Sequence, residues 1–186
     1  MRRLTERDAS GDRWIPAESG ESDVGEKKVS LRHDGGLRFV ATTSSGHHIV
    51  TDSVAGDTGP RPTDLLLAAI ASCTAMDIVE ILAKKRQTFS SYSTEVTGIQ
   101  REAAPNVFTE ITILHVLEGD VETTAVRRSI ELSATKYCTV SAQLASGVAR
   151  ISHRYRIRRP AGAVAGPAEE SGEVMVTGPM RDVLTT

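Results

Sequence analysis

The chain has 186 residues, of which 39% are hydrophobic and 25% are charged, and its formal net charge is -2 at pH 7. This length and composition predict one domain, with enough apolar side chains for a core and enough charge for a soluble surface. The absence of a basic excess argues against a general nucleic-acid-binding protein.

Nothing in the sequence predicts export or membrane insertion. A membrane helix needs a run of about 18 consecutive apolar residues, and the sequence has none. The basic N-terminus is not followed by the apolar segment of a secretory signal, so we expect a cytoplasmic protein with no membrane partner. The two cysteines, Cys73 and Cys138, are too few for the disulfide framework of a secreted protein, and neither lies in a CxxC pair.

Both ends of the chain lack the periodicity of regular structure. Residues 1–25 are rich in Ser, Gly, Asp and Glu, which predicts a flexible N-terminal arm. Residues 160–186 are rich in Pro, Gly and Ala, which predicts a flexible C-terminal tail. The folded domain is therefore expected to span residues 26–159.

The first part of this domain is typical of β-structure. Three short runs of Val, Leu, Phe, Ile and Thr lie between residues 27 and 53, and the sequences DGG and SSGH separate them where turns are expected. The simplest interpretation is a meander of three antiparallel strands.

A long helix follows, beginning at Pro62 or Thr63 and ending near Lys85. Proline is favoured in the first turn of a helix, where its missing N–H has no intrahelical partner to lose. Asp64 in the first turn and the basic residues in the last turn complement the helix dipole. The first half of the helix is apolar on every side, which predicts a central helix that is buried all round.

The remaining elements are two strands, a second helix and a last strand. The strand-like runs are residues 92–102 and 108–119, joined by the turn sequence AAPN. The second helix runs from about Val121 to Tyr137 with Asp120 as its N-cap, and residues 148–158 form the last strand. The arginines that alternate along this strand are best explained as a solvent-exposed face. The order βββ-α-ββ-α-β predicts an α+β fold with mostly antiparallel sheet.

Cys73 lies in the middle of the apolar helix. A free cysteine is among the most buried residue types, and a thiol sealed in an apolar core is inert, so Cys73 could simply pack the core. The small side chains around it instead leave room for a molecule to approach the sulfur. Asp77, one turn further along the same face, is unusual in a sealed core. From the residues alone, packing and reactivity both remain open.

Cys138 is predicted at the end of the second helix, where the helix dipole disfavours a thiolate. By itself it is better explained as a structural residue, or as a partner for an attacking thiol, than as the attacking thiol. No metal site or cofactor is predicted. His47 and His48 are adjacent on a strand and point to opposite faces, and the motifs HExxH, CxxC, GxGxxG and GxSxG are absent.

Two stretches together resemble the OsmC/Ohr family, the osmotically induced and organic-hydroperoxide-resistance proteins. They are GPRPTDLLLAAIASCTAMDIVEIL, residues 59–82, and AVRRSIELSATKYCTVSAQL, residues 125–144. The first joins a proline, a helix of leucine and alanine, and a Ser-Cys pair, and the second brings another cysteine at the distance the family requires. The resemblance covers roughly residues 27–158.

The resemblance implies an intertwined homodimer, in which antiparallel sheets wrap around long central helices and the active sites lie at the subunit interface. It also implies a thiol peroxidase that uses no metal or other cofactor. The cysteine matching Cys73 attacks the peroxide and becomes a sulfenic acid, and the cysteine matching Cys138 condenses with it into a disulfide. A dithiol such as a lipoyl group then reduces the pair.

The sequence departs from the best-understood family members at the residues that set the charge around the thiolate. Those members carry a Glu directly after the helix-opening Pro and pair it with an Arg from the first hairpin. This chain has Thr63 at that place, followed by Asp64. The candidates for charge tuning are therefore Arg32 and Arg38 in the hairpin, and Asp64 and Asp77 on the helix. The pattern is similar to a less characterised branch of the family.

Three other functions are compatible with the sequence. The first is binding of a hydrophobic ligand in the interface pocket without turnover, which Cys73→Ser would leave intact. The second is a different thiol-based reaction, on sulfur compounds or reactive electrophiles. The third is a stress-associated dimer whose thiols only pack the core and do not react with peroxide in the folded state.

Overall fold

The computed structural model describes residues 25–147 and 150–177. The chain divides after Arg61 into two compact units, where the sequence predicts a single domain over residues 26–159. The N-terminal arm predicted for residues 1–25 lies almost entirely outside the described residues.

The first unit contains a sheet of three antiparallel strands in the order β1-β2-β3. The strands are β1 Val29–His33, β2 Phe39–Thr43 and β3 His48–Thr51. The turn after β1 includes Gly35 and Gly36 at φ values of 96° and 56°, which glycine adopts without steric cost. The predicted meander is confirmed.

The second unit contains a sheet of four strands in the order β4-β5-β6-β7, together with its helices. Its elements are α1 Pro62–Lys84, β4 Ser91–Gln100, β5 Phe108–Glu118, α2 Thr123–Leu132, a π-helical segment Ser133–Tyr137, α3 Thr139–Ala145, β6 Arg150–Arg158 and β7 Glu169–Thr177. The pair β5 and β6 is parallel, in an otherwise antiparallel sheet. A parallel pair needs a long crossover connection, and the three helical segments between β5 and β6 supply it.

The prediction of a flexible tail from residue 160 is wrong for residues 169–177, which form strand β7. This strand pairs antiparallel with β6, and its glutamates face the arginines of that strand at 3.6 Å for Arg154 with Glu173 and 3.8 Å for Arg156 with Glu169. Gly172 gives the segment a loop-like composition, but a side chain there would press on the ring of Tyr155. Backbone pairing and charge complementarity, which composition does not reveal, make this segment a strand.

The second helix is shorter than predicted and is interrupted before Cys138. The residue capping α2 is Glu122, whereas the carboxylate of Asp120 accepts backbone N–H bonds from Val164 and Ala165 at 3.3 and 2.9 Å. After α2 the backbone widens into the π-helical segment, and Cys138 then adopts a non-helical conformation with φ -71° and ψ 100°. The sequence predicts a continuous helix here because no glycine or proline marks the break.

Helix α1 has the predicted limits. It ends where Arg86 adopts a φ of 57° and the N–H of Gln87 bonds back to the C=O of Leu82 at 3.0 Å. One face of the helix is completely buried, comprising Ile70, Thr74, Ile78 and Leu82. The predicted burial on every side is not met within one chain, because Leu66 and Met76 are 44% and 67% exposed.

By length and composition alone, α1 is also apolar enough to cross a membrane, with a mean hydropathy of 2.0 over 18 residues. Its buried face nevertheless joins two clusters of the protein's own core. Ile78 and Leu82 pack with Leu117 of β5 and with residues of α2 and β6, while Ile70 packs with Ile111 and other residues of β5 and β6. In this chain α1 is therefore a core helix with one uncovered face.

Arg159, just after β6, is a fully buried charge that the sequence does not single out. Its guanidinium donates to the C=O of Val121 at 2.8 and 3.0 Å and to the C=O of Pro167 at 2.9 Å. It also donates to Thr123 at 2.8 Å and pairs with the carboxylate of Glu170 at 3.2 Å. These bonds tie the start of α2 to the ends of β6 and β7.

Two buried histidines point inward from neighbouring strands, His115 from β5 and His153 from β6. Burial lowers the pKa of His115 to about 3 and the pKa of His153 to about 4. Nδ1 of His115 lies 2.7 Å from the hydroxyl of Tyr92, whereas neither ring nitrogen of His153 has a hydrogen-bond partner among the described residues. Both histidines are therefore neutral in the folded protein at ordinary pH.

Candidate active site

Three side chains that the sequence singles out come together in the second unit. Cys73 and Asp77 lie one turn apart on α1, and this spacing places them on the same face of the helix. Cys138 approaches them from the break between the π-helical segment and α3. The two sulfurs and a carboxylate oxygen of Asp77 all lie within 4.8 Å of one another. Both cysteines are free thiols.

The interruption of the second helix positions Cys138. Its backbone N–H bonds to the C=O of Ser133 at 2.9 Å and closes the π-helical segment. Its side chain is 3% exposed, and the sulfur accepts a hydrogen bond from the backbone N–H of Ser141 at 3.3 Å. Cys138 therefore follows the end of a helical segment, as expected, but it is at the same time the N-cap of α3.

Along α1, Cys73 lies between Ile70 of one core cluster and Ile78 of the other, and it is partly exposed. The hydroxyl groups on either side of it bond to the backbone of α1: Ser72 donates to the C=O of Ala68 at 2.8 Å, and Thr74 donates to the C=O of Ile70 at 2.9 Å. A hydroxyl group that bonds to its own helix in this way needs no other partner. Cys73 is therefore neither sealed in the core nor fully open to solvent.

Burial governs the ionisation of the groups around Cys73. It raises the pKa of Cys138 to about 11, and the neighbouring Cys73 thiol acts in the same direction. Burial also raises the pKa of Asp77, although a hydrogen bond from the hydroxyl of Ser133 at 2.8 Å opposes that change. Ser133 is a site residue that the sequence analysis misses. The signal for it is a hydroxyl residue in the motif SATKYC, at a place that proves to be fully buried.

Two of the remaining charge-tuning candidates belong to the first unit and one to the first turn of α1. Arg32 and Arg38 both pair with Asp34, at 2.9 and 3.0 Å, in the first unit. These two hydrogen-bonded arginines hold the pKa of Asp34 below its usual value. Asp64 lies in the first turn of α1, as predicted. A role for Arg32, Arg38 or Asp64 in tuning the thiolate stays a prediction.

The geometry permits two kinds of chemistry. Two thiols this close can form a disulfide once their sulfurs approach to about 2.05 Å. Two sulfurs and a carboxylate oxygen can also serve as ligands for a metal ion. The relatives of the chain and the surroundings of the three groups indicate which of these reactions it uses.

The sequence matches a protein family described as OsmC-like protein, over residues 55–152. Protein YhfA of Escherichia coli strain K12 is 39% identical over 123 residues, which are 66% of this chain and 91% of YhfA. The family match, over residues 55–152, includes Cys73, Asp77 and Cys138.

Solved structures share the fold. A hypothetical protein from Aquifex aeolicus VF5 aligns with a TM-score of 0.65 and 32% identity, over 74% of this chain and 99% of that chain. An organic hydroperoxide resistance protein OsmC from Legionella pneumophila, also described as a predicted redox protein, aligns with a TM-score of 0.55 over 73% of this chain and 98% of that chain. Its identity of 12% makes this a likeness of fold alone. The predicted α+β fold is confirmed.

Proposed function

Because the chain belongs to the OsmC-like family, we propose that it is a cysteine-based peroxidase that reduces organic hydroperoxides in oxidative-stress defence. Membership of this family supports a general stress-related, thiol-based redox role. One observation carries the finer assignment: two cysteine sulfurs, from elements far apart in the sequence, lie within 4.8 Å of each other.

In the first step the thiolate of Cys73 attacks the outer oxygen of the hydroperoxide. The O–O bond breaks, the alkoxide takes up a proton and leaves as an alcohol, and Cys73 becomes a sulfenic acid. Partial exposure favours Cys73 over Cys138 as the attacking residue, because the peroxide must reach the sulfur. The apolar side chains around this part of α1 favour an alkyl hydroperoxide over a more polar one.

In the second step the sulfur of Cys138 attacks the sulfenic sulfur of Cys73. Cys138 gives up its thiol proton, the sulfenic hydroxyl leaves as water, and a disulfide forms. The buried position of Cys138 keeps it from solvent and within reach of a single target. A small-molecule or protein dithiol, such as a lipoyl group, then reduces the disulfide by thiol exchange and restores both thiols.

We also propose that the protein acts in the cytoplasm as a homodimer, with the uncovered face of α1 at the subunit interface. Structures of OsmC/Ohr proteins are commonly dimeric, and Leu66 and Met76 leave an apolar surface on the helix that carries Cys73. Sedimentation equilibrium should give a dimer for the wild-type protein and a monomer for a Leu66→Glu, Met76→Glu double variant. A wild-type monomer would contradict the dimer.

Steady-state turnover tests the proposed reaction. We expect the reduced protein to consume an alkyl hydroperoxide catalytically when dihydrolipoamide is supplied as the reductant. Cys73→Ser should lower this rate by at least about 100-fold, because a hydroxyl group is a far weaker nucleophile than a thiolate. Thr139→Ser, next to Cys138 on an exposed position, is the control and should keep the wild-type rate.

Cys138→Ser separates the two steps of the reaction. It should still consume an equimolar amount of hydroperoxide but then stop, with Cys73 held as a sulfenic acid that a dimedone probe can trap. Equal steady-state rates for Cys73→Ser and the wild-type protein would contradict the proposed function.

A further inference from the structure

We propose that the reduced site also binds one thiophilic divalent cation, with Zn²⁺ as its representative, through the sulfurs of Cys73 and Cys138 and the carboxylate of Asp77. These three groups offer ligand atoms within 4.8 Å of one another. Binding of the ion does not depend on peroxide chemistry. It needs only that both cysteines are reduced, as they are in this structure.

The ligand types match the cation. Zinc is bound in proteins by cysteine sulfur, histidine nitrogen and carboxylate oxygen, and two thiolates favour it over magnesium or calcium. Asp77 and Cys73 are separated by one helical turn, a spacing at which one helix face presents two ligands to the same ion. The third ligand, Cys138, comes from a different element, so the set is complete only in the folded chain.

The distances need little adjustment. Zinc–sulfur bonds of about 2.3 Å and zinc–oxygen bonds of about 2.1 Å in a tetrahedral site place neighbouring ligand atoms about 3.5 to 3.8 Å apart. Ligand atoms no more than 4.8 Å apart therefore have to close by about 1.3 Å at most. The partly exposed side of Cys73 leaves the fourth position to water, as in zinc sites with three protein ligands.

Two ligands already have the supporting hydrogen bonds that metal sites use. The hydroxyl of Ser133 donates to the Asp77 carboxylate at 2.8 Å and fixes its orientation. The backbone N–H of Ser141 donates to the sulfur of Cys138 at 3.3 Å, a contact that stabilises negative charge on sulfur. Such outer contacts orient ligands, and losing one weakens metal binding by about 10- to 100-fold.

Metal binding and the Cys73–Cys138 disulfide need the same sulfurs, so the bound ion and the disulfide exclude each other. Binding of the ion to the two thiols releases two protons. When a hydroperoxide oxidises the bound thiolates, it takes up two electrons and two protons and yields an alcohol and water, while the protein gains a disulfide and frees the ion. This release step rests on the proposed function, whereas binding of the ion does not.

A cobalt titration tests the binding. The reduced full-length protein, carrying no affinity tag, is titrated anaerobically with Co²⁺ as a spectroscopic probe and then with Zn²⁺. We expect saturation at one Co²⁺ per chain, with the sulfur-to-cobalt charge-transfer absorption of thiolate ligands, and displacement of Co²⁺ by Zn²⁺. A spectrum without sulfur ligands, or no saturable binding, would overturn the proposal.

Variants identify the ligands. Cys73→Ser, Cys138→Ser and Asp77→Asn should each weaken Zn²⁺ binding by more than about 10-fold, and Ser133→Ala by about 10-fold. Glu80→Gln is the matched control, since this exposed carboxylate lies on the same helix and pairs with Lys84 instead. Wild-type affinity in Asp77→Asn would overturn the three-ligand site.

Thiol alkylation of the wild-type protein provides a test that needs no variant to fold. Saturating Zn²⁺ should slow alkylation of both cysteines at least about 10-fold, and unchanged alkylation rates would overturn the proposal. Hydroperoxide added to the zinc-loaded protein and to the zinc-free protein separates the two claims. If the protein binds zinc but its thiols survive hydroperoxide even when zinc is absent, the proposed function alone is contradicted; thiols that oxidise without ever binding zinc contradict only this inference.

Discussion

Two sets of polar side chains in the second unit differ in how completely they are buried and hydrogen-bonded. Arg159 has no exposed side-chain surface, and two carbonyl groups, a hydroxyl and a carboxylate receive its donors. The cluster of Cys73, Asp77 and Cys138 is only partly buried, and its hydrogen bonds from the rest of the protein are the two that come from Ser133 and Ser141, so far as the described residues show.

The difference separates a structural charge from a candidate reactive site. A buried arginine whose N–H groups all donate to acceptors has no donor left for another molecule. Its loss leaves those buried acceptors without a hydrogen-bond partner. Two thiols and a carboxylate with few bonds retain lone pairs for a peroxide, for each other or for a metal ion. Sparse bonding beside a core is thus a better indication of function here than burial or charge alone.

The largest predicted effect is on stability, at Arg159. Arg159→Met should lower the free energy of unfolding by about 3 kcal/mol or more, because it leaves the Val121 and Pro167 carbonyls and the Glu170 carboxylate without their donor. Arg154→Met is the control: that side chain is 57% exposed, so its loss should cost less than about 1 kcal/mol. Urea unfolding measures the free energy of unfolding of both variants. Equal losses of stability would contradict the structural role assigned to Arg159.

A second effect on stability depends on pH. The pKa values of His115 and His153, about 3 and 4 in the folded protein, lie below the value of about 6.5 for an exposed histidine. Between the folded and unfolded pKa values, the two histidines are protonated in the unfolded chain and neutral in the folded chain. Stability therefore falls as pH falls below about 6.5, and it does not depend on these histidines above that pH.

The expected slope is about 1.4 kcal/mol per pH unit for each histidine. His153→Leu should therefore flatten the pH dependence of urea unfolding between pH 5 and about 6.5. A wild-type stability that stays constant over this range would contradict the burial of neutral histidines.

The smallest effect is expected at Ser133. Ser133→Ala removes one hydrogen bond to Asp77 and should cost about 1 kcal/mol of stability. Ser72→Ala removes an exposed bond from a serine to the backbone of α1 and should stay within about 0.5 kcal/mol of wild type. A larger loss at Ser72 than at Ser133 would show that the cluster is less ordered than its geometry indicates.

The parts of the fold that sequence patterns predict are those with a local cause. The limits of α1 follow from Pro62 and the apolar run, and the buried face of β6, which includes Ile151, Tyr155 and Ile157, follows from strict alternation. The meander of the first unit follows from turn residues such as Gly35 and Gly36.

The features that sequence patterns miss depend on contacts between distant segments. Strand β7 exists because β6 offers it a pairing edge, and the parallel pair of β5 and β6 follows from how the crossover packs. The π-helical break that places Cys138 has no local marker. The sequence motifs identify Cys73, Asp77 and Cys138 separately, whereas Ser133 and Arg159 become visible only once their partners are in place.

The most direct test of the central claim is the intact mass of the reduced protein after an equimolar amount of alkyl hydroperoxide is added. We predict the loss of two hydrogen atoms, a Cys73–Cys138 disulfide in the peptide map, and no such change in Cys73→Ser. If both thiols of the folded wild-type protein survive excess hydroperoxide, the peroxidase assignment is wrong.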